Sequence, residues 1–189
     1  MRTLTPHALE LVFLDLPGIP GPVADSGHPL RLRASARATG LIGDALVRLA
    51  QGQALDLALE EEARPGADAT LRVHADKTGS LVACACALGA APESAGDLAA
   101  FGEHLGIAFQ IVDDVLGLWG DPAVTAKPAG ADLTARKKPH GTGARAVSEA
   151  AACAHERMAL DALARVCPSS YQAGGDLRAL AAFVVGRAY

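Results

Sequence analysis

Asp113 and Asp114 stand side by side in a stretch, Leu105 to Leu118, where nearly every other position is apolar, with Gln110 one helical turn before them. A helix that is apolar all round is normally buried. Two adjacent carboxylates in such surroundings each carry a desolvation penalty of several kcal/mol unless a positive partner offsets it. A divalent cation is the simplest partner. Gln110 is spaced i,i+3 from Asp113 and i,i+4 from Asp114, so the amide and at least one carboxylate share a helix face and can work on one ligand. Mg²⁺ takes one or two carboxylates and fills its remaining octahedral positions with water and phosphate oxygens, which this group of residues can offer.

Cations lie on both sides of the pair in sequence. Lys77 sits upstream, and Lys127 and the cluster Arg136-Lys137-Lys138 follow on a glycine- and proline-rich stretch. Cations beside metal-binding acids make a site for a diphosphate. Taken singly, an Asp-Asp pair is most often a solvated helix face or an N-cap, and basic loop residues mostly decorate a surface. The apolar setting of the pair and the order of its neighbours favour the chemical reading.

The elements that hold these residues are expected to be helical. Half of the 189 residues are hydrophobic, Ala and Leu dominate, and there are only four Phe, two Tyr and one Trp, a composition that favours helices over a β-sandwich or barrel. The length suits one domain over residues 1–189, and the class is all-α. Thr5-Pro6 starts a helix that Pro17-Gly18 stops. Residues 17–29, with four prolines and three glycines, form a loop. A helical pattern covers Leu30 to about Ala63 with a break or bend near Gly40-Gly43; its charges, arginines first and glutamates last, run against the macrodipole. A third helix spans about Thr70 to Ala91, and a fourth, from Ala95 or Asp97 to Trp119, carries the aspartates. Helical patterns return at Ala144 to Val166 and Asp176 to Arg187.

Composition also excludes functions. The net charge is −4 and the longest like-charge run is Glu60-Glu61-Glu62, which gives no case for nucleic acid. Apolar runs such as Leu81 to Pro92 fall short of the roughly 18 residues of a membrane span. Glu10 and Asp15 interrupt the N-terminal apolar patch, which a secretory leader would avoid. The four cysteines (Cys84, Cys86, Cys153, Cys167) lack metal or redox spacing and read as buried, reduced thiols of a cytoplasmic protein.

The segment from Phe101 to Lys138, FGEHLGIAFQIVDDVLGLWGDPAVTAKPAGADLTARKK, resembles the second aspartate-rich region of the trans-type isoprenyl diphosphate synthases, the polyprenyl synthetase family, and in particular its bacterial geranylgeranyl-type members. Gly52-Gln53-Ala54-Leu55-Asp56-Leu57 is similar to the family's GQxxDL element, and Lys77-Thr78-Gly79 to its KTG element. The end, DLRALAAFVVGRAY, is similar to its C-terminal helix. Residues 43–138 and 176–189 match best and 1–42 poorly.

The resemblance implies an isoprenoid-synthase helical bundle in which an allylic diphosphate, clamped through Mg²⁺, ionises and is attacked by isopentenyl diphosphate. By position, Asp113 and Asp114 would bind Mg²⁺, Gln110 would lie near the metal-bound diphosphate, and Lys77 and Lys127 would bind the leaving pyrophosphate. Thr78 would hold the allylic cation or its diphosphate, and Gln53 and Asp56 would line the cavity. Apolar walls would shield the cation from water. The protein is expected to work as a homodimer or as a heterodimer with a complete synthase.

The family's first aspartate-rich motif and the arginine pair after it have no counterpart here, and Ala126 stands where the second region usually has a glycine. These departures lead us to expect an N-terminally truncated and internally shortened relative. The alternative to an elongating enzyme is a non-catalytic partner subunit or a degenerate diphosphate-binding remnant. A terpene cyclase would also need an aspartate-rich motif, but the GQxxDL and KTG elements argue against it.

Overall fold

The computed structural model describes residues 29–62, 66–119, 143–166 and 172–187, with the backbone alone for 29–35 and 172–173. Lys127, Ala126, the basic cluster at 136–138, Cys167 and the helix expected after Thr5 lie outside these residues. Gly40–Tyr189 forms one compact unit, distinct from Met1–Thr39. Among the described residues, both units are helical apart from turns and short connections.

Helix α1 spans Pro29–Leu59. It runs without the break expected at Gly40-Gly43. Neither glycine meets anything a Cβ would touch, so each costs the helix only about 1 kcal/mol relative to alanine, and a long neighbouring run absorbs that. The expected glutamate mismatch stands: Glu60, Glu61 and Glu62 follow directly on the C-terminal end of the helix. Their N–H groups donate to Leu57, Ala58 and Leu59 carbonyls at 3.2, 3.3 and 3.2 Å, tightening the end into 3₁₀ geometry.

The third expected helix is three pieces in line. Helix α2 (Ala67–His74) passes into a π turn over Ala75–Gly79 and then into α3 (Ser80–Leu88). In the π turn the Ser80 N–H donates to the Ala75 carbonyl, five residues back. An α-helix would have sent that bond to Asp76. The freed Asp76 carbonyl instead accepts the Ser80 hydroxyl at 2.6 Å, so the extra residue leaves no orphaned acceptor there. Periodicity could not reveal this, because a π turn changes the hydrogen-bond register by one residue while keeping the same residue types.

Helix α4 (Ala95–Trp119) matches its expected bounds and is the hub of the unit, packing on α2, the π turn, α3, α5 (Ala144–Val166) and α6 (Gln172–Gly186). The last helix begins four residues earlier than Asp176, through a Gly-Gly pair that propensity would place outside it. One end of α4 joins a core of Phe101 and Leu105 with Ala159, Ala162 and Leu163 of α5 and Ala181 and Val184 of α6. Farther along, Ile107, Ile111, Val112 and Val115 pack with Ala152, under Leu71 and Ala75. Phe101, Val112 and Leu163 are fully buried, and each stabilises the fold by about 1.5–3 kcal/mol relative to an exposed side chain. The small residues along α5 let it lie close to α4. Cys84, Cys86 and Cys153 are reduced and only half-buried; burial still pushes the Cys84 and Cys86 thiols up from their usual ionisation range.

Candidate functional site

The segment α2–π–α3 and helix α4 run antiparallel, and glycines set their separation. A Cβ on Gly102 would stand 2.6 Å from the Val82 carbonyl oxygen, and one on Gly106 would stand 2.7 Å from the Cα of Gly79. Helix α1 closes on the π turn in the same way: a Cβ on Gly52 would lie 2.7 Å from the Lys77 backbone nitrogen. Real Cβ atoms do not approach backbone so closely, so three glycines fix the contacts that bring the polar residues together.

Those residues are the ones that sequence singled out. Lys77 Nζ, on the π turn, donates to Asp56 Oδ2 of α1 at 2.9 Å. The next residue, Thr78, faces the other way and donates from Oγ1 to Gln110 Oε1 of α4 at 3.0 Å. Gln110 Nε2 in turn reaches Asp114 Oδ1 at 3.4 Å. Six sequence-named residues therefore have described positions in or beside one small region, where four polar contacts make a Lys77–Asp56 pair and a chain of Thr78, Gln110, Asp114 and one newcomer. Asp113 is half-buried beside Asp114, and among the described residues no hydrogen bond or ion pair reaches it. Gln53 is exposed on α1 and takes no part in the polar chain among the described residues.

The newcomer is His74. Its ring is buried at 7% exposure, and its Nε2 lies 3.2 Å from Asp114 Oδ2. Its Nδ1 is buried without a hydrogen-bond partner among the described residues. Protein groups thus lie against both oxygens of Asp114, which offsets part of its desolvation. Antiparallel register contains the signal that would have found this contact. If Thr78 meets Gln110, the residue one turn before Thr78 must meet the residue one turn after Gln110, and these are His74 and Asp114.

A second unanticipated network lies one layer away. Arg48 of α1 donates through Nε to Asp76 Oδ1 at 2.9 Å and through Nη2 to Glu103 Oε1 at 2.6 Å and the Ala75 carbonyl at 3.4 Å. Burial alone would lower its ionisation, but the hydrogen bonds and charges of Glu103 and Asp76 outweigh that and raise it. Beyond it, His104 and His155 bring their Nδ1 atoms to 3.2 Å with rings tilted by 47°. Burial, and then the nearby His104 and His74, lower the His155 pKa.

The backbone fold is similar to that of solved proteins. A polyprenyl synthetase from Streptomyces coelicolor superposes with a TM-score of 0.73 at 30% identity, over 82% of this chain and 61% of that one. A geranylgeranyl pyrophosphate synthase from Corynebacterium glutamicum, solved with isoprenyl diphosphate and magnesium, gives 0.72 at 26% identity, over 82% and 56%. The protein has the helical isoprenoid-synthase fold. A curated geranylgeranyl diphosphate synthase of Mycobacterium tuberculosis is 50% identical over 91 residues, 46% of this chain and 26% of the relative. The polyprenyl synthetase family model matches residues 27–142, and the chain belongs to that family. It spans only about a quarter of the length of that curated relative.

Proposed function

We propose that this chain is a prenyltransferase-type diphosphate site, whose inherited reaction is the condensation of isopentenyl diphosphate with an allylic diphosphate. One observation carries the reading: Lys77 of the KTG triplet meets Asp56, and its neighbour Thr78 meets Gln110, which in turn reaches Asp114, although these residues come from three separate helical segments.

The donor set fits Mg²⁺ as one side of its coordination shell. Asp113 has no competing partner among the described residues, and Asp114, with 24% of its side chain exposed, is fixed beside it. Among the described residues no three His, Cys, Asp or Glu side chains could hold a metal alone; diphosphate oxygens and water would fill further positions, as Mg²⁺ prefers. The solved relative with isoprenyl diphosphate and magnesium supports the same ligand pair. When bound, the ion would neutralise charge that builds on the diphosphate as it departs.

The protein's own residues have the remaining tasks. Lys77, and Lys127 on the stretch outside the described residues, would bind the diphosphate oxygens that receive the electron pair of the breaking carbon–oxygen bond. Gln110 and Thr78, already bonded to each other, would present a fixed polar edge to that group. Preorganised donors of this kind stabilise the developing charge without reorganising. The isopentenyl double bond then attacks the allylic carbon, and a proton leaves to restore neutrality. Gln53 and Asp56 would border the cavity, Asp56 chiefly by holding Lys77.

The test incubates the purified chain with Mg²⁺, isopentenyl diphosphate and an allylic diphosphate, with mass spectrometry of the products and calorimetry of pyrophosphate binding. Product formation, or Mg²⁺-dependent pyrophosphate binding lost in Asp113→Ala and Asp114→Ala, is expected. Binding that survives both substitutions would overturn the site assignment.

A further inference from the structure

We infer that His74 is a positioning residue for the aspartate pair: its imidazole sets the plane of the Asp114 carboxylate, and through it the geometry offered to a cation. This inference rests on the diphosphate-site reading above. Asp114 Oδ1 lies 3.4 Å from the Gln110 amide nitrogen, and Asp114 Oδ2 lies 3.2 Å from His74 Nε2. A carboxylate met on both oxygens from two directions cannot rotate freely about its terminal torsion, so its remaining lone pairs point where those contacts leave them. Gln110 is itself held by Thr78, on the same segment as His74. The carboxylate is thereby tied twice to one backbone unit, α2 and the π turn.

Nε2 lies 3.2 Å from an acceptor-only oxygen, a contact that is favourable only when Nε2 carries the proton. Nδ1 is buried with no partner among the described residues. A histidine whose only purpose was to fill apolar space would gain nothing by burying an unsatisfied nitrogen, and such an atom costs free energy. The burial is tolerated because the ring is held by its other edge. His74 is also the last residue of α2, immediately before the π turn that aims Lys77 and Thr78, so one short segment orients both the cationic and the acidic sides of the site. Partners that hydrogen-bond a ligating carboxylate from behind typically change metal affinity by about 10- to 100-fold when removed.

The test compares the full chain with His74→Leu, which removes the donor, and His74→Gln, whose amide can place an N–H near the position of Nε2. Calorimetry with inorganic pyrophosphate is run at a series of Mg²⁺ concentrations and without Mg²⁺, with thermal melts as a control for folding. His74→Leu should need at least about tenfold more Mg²⁺ for half-saturation, leave Mg²⁺-free pyrophosphate binding unchanged, and be rescued by His74→Gln. Equal Mg²⁺ dependence in wild type and His74→Leu would overturn the inference. A wild type without any Mg²⁺-dependent binding would sink the diphosphate-site reading instead. Imidazole ¹⁵N spectra then decide the contact by themselves. An Nε2–H signal from His74 that moves in Asp114→Asn supports it. A ring protonated at Nδ1 alone, indifferent to that substitution, refutes it.

Discussion

Gly106 lies flat on Gly79, so that a Cβ on Gly106 would come within 2.7 Å of the Gly79 Cα and 3.2 Å of the Thr78 carbonyl oxygen. The contact joins α4 to the π turn at the point where Thr78 reaches Gln110. A methyl group there has backbone on its far side, which cannot swing away as a long side chain could.

Gly106→Ala should therefore lower stability by about 1–3 kcal/mol, the usual range for overpacking, and weaken any ligand binding that needs Thr78 and Gln110 in register. Gly43→Ala is the control. That position is exposed in α1 with open space around it, and alanine should add about 0.5–1 kcal/mol. Urea unfolding of the two variants would measure both, and a neutral Gly106→Ala would contradict the packing described.

Arg48 ties α1 to the π turn and to α4 through Asp76 and Glu103. Its side chain is 36% exposed, so solvent screening reduces the gain, and Arg48→Gln should cost only about 1 kcal/mol. Arg48→Lys should recover little, because a single ammonium cannot serve two carboxylates in the fork that the guanidinium provides. In a double-mutant cycle, Arg48→Gln with Glu103→Gln should be less than additive.

The His155 ring resists protonation in the folded chain, through burial first and then through His104 and His74. Its folded pKa lies below the unfolded value of 6.5. Above 6.5 both states are neutral and the group adds no pH dependence. As pH falls through 6.5 the unfolded chain takes up a proton that the folded chain does not, so stability declines until the folded value is passed. Thermal midpoints measured from pH 7.5 down to 5 should fall, and His155→Gln should flatten the part of the slope that this ring supplies.

Phe101 and Leu163 are fully buried in one cluster where α4, α5 and α6 meet. Phe101→Ala should destabilise by about 3–5 kcal/mol and Leu163→Ala by about 2–5. Sharing a cavity, the pair should depart from additivity by more than about 0.5 kcal/mol. Calorimetric or urea unfolding would report each value, and losses under about 1 kcal/mol would mean that α6 does not cap this core.

Much of this architecture was legible from residue types. The bounds of α4 and α5 follow from their apolar runs and from the breaks on either side, and the family resemblance placed Lys77, Thr78, Gln110 and the aspartates in one neighbourhood. Three features were not legible. An unbroken α1 through Gly40 and Gly43 depends on length outweighing two weak positions. The π turn is a one-residue change in hydrogen bonding that composition does not encode. His74 and Arg48 carry no motif of their own, and their partners appear only once antiparallel register pairs Thr78 with Gln110. Even so, the register is implicit in the glycines at 79, 102 and 106, since close-packed helices need small residues where they touch.

The π turn also makes this part of the chain count its residues. Removing one amino acid between Ala75 and Gly79 would let α2 and α3 fuse into an ordinary helix, with nothing lost in propensity. Because the π turn holds one residue more than an α turn, that fusion would keep the flanking helices nearly in phase; straightening all of its residues into α geometry without the deletion would turn everything on one side by ~100° relative to the other. His74 could then face Asp114, or Gly79 could lie on Gly106, but not both. A KTG triplet transplanted onto a regular helix would suffer the same misalignment, so what must be inherited here is a length as much as a motif.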